Sequence, residues 1–62
     1  MNEADEVELE ALMRQRRMSD ARLNRALGEL LGTGNGADEV LLALEEVEGV
    51  LRSLASLVNR LS

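Results

Sequence analysis

The stretch Leu30-Leu31-Gly32-Thr33-Gly34-Asn35-Gly36-Ala37-Asp38-Glu39-Val40 decides the fold. Three glycines and an asparagine interrupt two segments that are otherwise rich in Leu, Ala, Glu and Arg, the residues that favour helix. Gly32 suits the left-handed position that follows a helix, because it has no Cβ to clash. Asn35 suits the N-cap of a second helix, whose first turn would then hold Asp38 and Glu39 near the positive end of the dipole. A connection this short makes the helices antiparallel neighbours. The expected fold is therefore all-α, one helical-hairpin domain over residues 1–62. It has a helix over about 3–31, a glycine-rich turn at 32–36 and a helix over about 37–61.

The second segment carries the cleaner pattern. Val40, Ala43, Leu44, Val47, Val50, Leu51, Leu54, Leu57, Val58 and Leu61 share one face at about 100° per residue. That stripe is wider than a two-stranded coiled coil needs and suits a helix touching two neighbours in a bundle. Glu48 and Arg52 stand four apart on the outer face, as an intrahelical ion pair would.

The first segment repeats an apolar patch in one phase: Leu9, Leu12 and Met13, then Leu23, Ala26, Leu27, Leu30 and Leu31. Arg16, Ser19 and Asp20 occupy the same face between them. The preserved phase favours one continuous helix in which Arg16 and Asp20 pair. The competing reading breaks the helix near Met18, with Ser19 capping a shorter one.

Folding at the glycines brings Leu30 to Val40, Leu27 to Ala43 and Leu44, and Leu23 to Val47. Further from the turn, Arg16, Ser19 and Asp20 would oppose Val50, Leu51 and Leu54. On this reading the C-terminal half of the second helix, with Leu54, Leu57, Val58 and Leu61, holds more apolar surface than the first can cover. An apolar stripe of that size marks an association surface. The expected interface, with a second copy or with another helical protein, comprises Leu23, Leu27, Leu30, Val40, Leu44, Val47, Val50, Leu51, Leu54, Leu57, Val58 and Leu61. Two hairpins joined this way make a four-helix bundle.

Composition points the same way. A chain of 62 residues buries too little surface to be robust alone and usually has a disulfide, a metal or a partner. There is no Cys, His, Pro, Phe, Tyr or Trp. Disulfides are excluded, and the usual zinc and copper ligands are missing. The common general base and thiol nucleophile are missing as well, and no serine has a base partner. Neither catalysis nor a cofactor, metal or small-molecule substrate is expected. The acids read as a solvated face, and Gly34-Asn35-Gly36 lacks the lysine and spacing of a phosphate loop. No apolar run is long enough to span a membrane, and the start of the chain is acidic where a signal peptide is basic. The expectation is a cytoplasmic protein.

Charge is segregated along the chain. Residues 1–13 hold five acids and no base. Residues 14–25 hold Arg14, Arg16, Arg17, Arg22 and Arg25 against Asp20 alone, a local +4. Residues 26–62 carry six acids and two arginines. Arg14, Arg22 and Arg25 fall on one outward face of the first helix with Arg17 nearby, a candidate surface for a polyanion or an acidic partner. Against nucleic acid stand the net charge of -5 and the absence of an aromatic to stack on bases.

In length and helix-turn-helix layout the whole chain resembles two groups of small hairpins. One is the Rop-type plasmid regulators, homodimeric four-helix bundles that bind paired RNA. The other is the small co-chaperones of type III secretion needle subunits, which work in a heterocomplex. The resemblance rests on layout and on no motif, so it implies no role for any single residue. Three functions are compatible with it. The first is a non-catalytic, self-associating interaction module with an adaptor, chaperone or regulatory role. The second is an RNA-binding bundle, and the third an antitoxin-like peptide that folds on its target.

Overall fold

The computed structural model describes all of residues 1–62 as two helices, α1 (Glu3–Thr33) and α2 (Ala37–Leu61), packed as an antiparallel hairpin. It is a rod of 47 × 15 × 12 Å. The long dimension is the length of α1, whose 31 residues rise by about 1.5 Å each. Its Cα radius of gyration is 14.4 Å, against about 10.6 Å for a compact chain of the same length. Domains usually bury their core between two packed layers. This hairpin is one layer.

The start of α1 is fixed by Asn2, whose side-chain oxygen accepts the Asp5 N–H at 2.8 Å. Glu3, Asp5 and Glu6 follow in the first turn, where the helix dipole favours them. α1 then runs without a break through Arg16, Ser19 and Asp20. It also runs through Gly32, so the left-handed residue is Gly34 (φ 77°), whose N–H donates to the Leu30 carbonyl at 2.8 Å. Thr33 explains the extra length. Its hydroxyl donates to the Glu29 carbonyl at 2.9 Å and accepts the Asn35 N–H at 3.0 Å, closing the last turn.

The turn is therefore residues 34–36, and Asn35 does not cap α2. Gly36 does so with φ 95° and no side-chain bond. With Asn35 tied back to Thr33, α2 begins on Asp38 and Glu39 against its dipole instead of on a side-chain cap.

Two interhelix salt bridges set the register. Arg22 reaches both carboxylate oxygens of Glu46, at 3.0 and 2.9 Å. Near the open end, Arg60 pairs with Glu8. In each pair the residue numbers add to 68, so the helices run side by side with no slip.

The core is small. Val40, Ala43 and Leu57 are buried together with Ser19, and only Leu57 is fully so, at 0% exposure. Leu12, Leu23, Ala26, Leu30, Val47, Val50 and Leu54 are half-buried. Ser19 is the small residue that lets the helices approach at mid-length, level with Val50. Arg16 and Asp20 form their i,i+4 pair (3.6 Å) on the flank, outside the seam. Glu48 and Arg52 form no salt bridge.

Leu57 corrects the sequence-based expectation. The surplus apolar surface is not concentrated in the C-terminal half of α2, because α1 extends far enough to cover Leu57 completely. Met13, Leu27, Leu31, Leu44, Leu51 and Val58 stay exposed along one flank, while Met18 and Leu42 are exposed on the side of the Arg22–Glu46 bridge.

Candidate association surface

At about 100° per residue the hairpin divides the wide stripe of α2 in two. Ala43, Val47, Val50, Leu54 and Leu57 point at α1. Leu44, Leu51 and Val58, spaced seven apart, flank that line and stay exposed. The same division holds on α1. Leu12, Ser19, Leu23, Ala26 and Leu30 face α2, while Leu9, Met13, Arg16, Asp20, Leu27 and Leu31 lie on one flank.

The two salt bridges tell which flanks belong together. Glu8 and Arg22 leave α1 on one side of the seam, and Arg60 and Glu46 leave α2 on the matching side. The exposed apolar flanks of both helices therefore meet on the opposite side. One broad face of the hairpin is latched by charge. The other shows Leu27 beside Leu44 near the turn and Leu51 beside Arg16 and Asp20 at mid-length. Toward the open end it shows Met13, Leu9 and Val58.

Of the residues marked from the sequence as an interface, Val40 and Leu57 are buried within the hairpin. Leu23, Leu30, Val47, Val50 and Leu54 are half-buried in it. Leu27, Leu44, Leu51, Val58 and Leu61 remain exposed. Met13 is exposed on the same face. Sequence periodicity had placed it in a patch but gave no reason to single it out.

The rod as a whole exposes more surface than a compact chain of its mass. A compact monomer of 6.8 kDa exposes about 3950 Å² by the usual scaling with mass, and this chain exposes 4751 Å². The excess of about 800 Å² belongs to the elongated rod as a whole and is of the order of what one partner contributes to a standard protein interface, roughly 800 Å².

The arginine face is less coherent than its spacing suggests. Arg22 is held by Glu46 across the seam. Arg14, Arg17 and Arg25 make no salt bridge and are exposed. Acids stand among them: Glu10 lines a groove with Arg14 and Arg17, and Glu29, Glu39 and Glu46 line another with Arg22 and Arg25. A further cleft along the seam, about 400 Å³, is lined by Gln15, Met18, Ser19, Arg22, Glu45, Glu46, Gly49, Val50 and Ser53. It is an open surface trough with no pairing of nucleophile and base.

No three acidic side chains converge as metal ligands would, and no helix is long and apolar enough to cross a membrane. No family model matches the chain, and neither the curated proteins nor the solved structures include a significant match.

Proposed function

We propose that this chain is a non-catalytic interaction module, a hairpin that pairs with a second copy of itself into a four-helix bundle. The observation that carries the reading is the unlatched face, with Met13, Leu27, Leu44, Leu51 and Val58 left in water. Each such side chain gains by burial, and a chain with one fully buried residue has little else to hold it together. An adaptor, chaperone or regulatory role follows from the same surface, since a hairpin that covers its own copy can exchange that copy for another helical protein.

The test is absolute mass by light scattering with refractive-index detection over a dilution series, read beside helicity. A dimer with constant helicity supports the reading. A fully helical monomer at all concentrations refutes it. A poorly helical monomer also refutes self-association and assigns the face to a different protein.

A second reading, a polyanion surface, draws on Arg14, Arg17 and Arg25, the exposed arginines of α1 outside any salt bridge. The acids that share their grooves weigh against it. It predicts RNA binding that falls steeply with salt and is lost in the triple alanine variant with the fold intact. No mobility shift of RNA at low salt removes it.

A further inference from the structure

The unlatched face reads nearly the same in both directions. Along α1 it runs Leu9, Met13, Arg16, Asp20, Leu23, Leu27, with Leu23 half-buried at the seam edge and Leu31 continuing the flank beyond this run. The spacings are 4, 3, 4, 3 and 4, and the centre lies at Met18. Along α2 it runs Leu44, Leu51, Val58, with the centre at Leu51. These two centres lie side by side in the folded hairpin. Their numbers add to 69, within one residue of the 68 fixed by the salt bridges. A single twofold axis lying in the face, across the two helices, therefore serves both.

We infer that two copies pair about this axis with their turns at opposite ends, and that Arg16 and Asp20 of each copy interlock with Asp20 and Arg16 of the other. The inference rests on the self-association proposed above and names its geometry. Around the axis α1 lies on the second copy's α1, and α2 on its α2. Leu51 meets its own counterpart, Leu44 meets Val58, and Leu27 meets Leu9. The charged pair, which interrupts the apolar face in a lone hairpin, becomes self-complementary.

Turns at the same end would instead stack α1 on the second copy's α2. Arg16 and Asp20 would then press on Leu51, and burying charge against leucine is costly without a partner. Within one chain the pair is incomplete. Asp20 touches Arg16 only through Nε at 3.6 Å, and the terminal guanidinium nitrogens make no hydrogen bond. They are free for a second carboxylate, in the forked geometry that arginine favours. One polar site in an apolar seam is a known means of fixing register and orientation.

The chain has no cysteine, so single cysteines report orientation cleanly. Leu51→Cys is expected to oxidise to a covalent dimer. Val58→Cys alone is not, while a mixture of Leu44→Cys and Val58→Cys is. No covalent dimer from Leu51→Cys, in a chain that light scattering shows to be dimeric, overturns the arrangement and leaves self-association standing. A monomeric native chain overturns both.

Charge supplies an independent check. Arg16→Asp, which gathers acids around the axis, is expected to lose the dimer. Mixing it with the Asp20→Arg chain is expected to restore dimer as a heterodimer. An Arg16→Asp chain that stays dimeric through the dilution range overturns the interlock.

Discussion

Leu51→Ala is the sharpest probe of the proposed interface. Leu51 is 47% exposed in the hairpin, so close to half of the roughly 1.5–3 kcal/mol available from burying a leucine is still to be gained. That is about 1 kcal/mol per copy. A residue on a twofold axis is lost from both copies at once, so the dimer weakens by about 2 kcal/mol, roughly 30-fold in its dissociation constant. Alanine is the better helix former, which keeps α2 itself from weakening. Leu41→Ala is the control. Leu41 is 59% exposed but points away from both α1 and the free face, and its removal is expected to leave the dissociation constant unchanged. Dissociation is measured by light scattering with refractive-index detection, because the chain has no Trp or Tyr to absorb at 280 nm. Equal effects from the two variants, or none from Leu51→Ala, would refute the assignment of the face.

Leu57→Ala empties the one fully buried position and is expected to cost about 2–5 kcal/mol, seen as lower thermal stability at every protein concentration. Gly34→Ala forces an alanine to φ 77° and is expected to destabilise by about 1–2 kcal/mol, whereas Gly32→Ala, inside α1 with open space around it, is expected to stabilise by up to about 1 kcal/mol. The opposite signs in thermal melts check the placement of the turn. Glu46→Gln removes one exposed latch and is expected to cost about 0.2–1 kcal/mol in low salt, less in high salt, with no change in mass.

Most of the architecture was legible because it depends on local signals. The glycine cluster, the 3.6-residue period and the unbroken phase across Arg16 to Asp20 give two antiparallel helices and their register within a residue or two. Only the start of the turn differs, by two residues, and α2 begins at the expected Ala37. Any of the three glycines can take positive φ, and the choice falls to Thr33, whose hydroxyl extends α1 past Gly32. Asn2 as a cap went unread, although an asparagine followed by acids is a start signal. The division of the apolar stripe could not be read from one helix alone. Periodicity says which side chains share a face, while the direction of the neighbouring helix says which of them it covers. The leucine register, with residue numbers adding to about 70, points Arg22 to Glu48 and Glu10 to Arg60; the observed pairs sit two residues off it, at 68. Spacing along α1 alone groups Arg22 with a basic face.

The two broad sides of the hairpin divide the labour of specifying it. Exposed salt bridges contribute little stability, so the Arg22–Glu46 and Glu8–Arg60 latches cannot hold a 62-residue chain folded. They can penalise slippage of α1 along α2, since a slip of one turn separates both pairs. Stability has to come from apolar burial, and Leu27, Leu44, Leu51 and Val58 stand unburied in a line along the side that carries no latch. On the proposed reading, register is set within one chain and stability between two. The unlatched side is then bare because it is finished by the second copy, and Arg16 and Asp20 stand in its middle because an otherwise uniform apolar face would not specify how that copy sits.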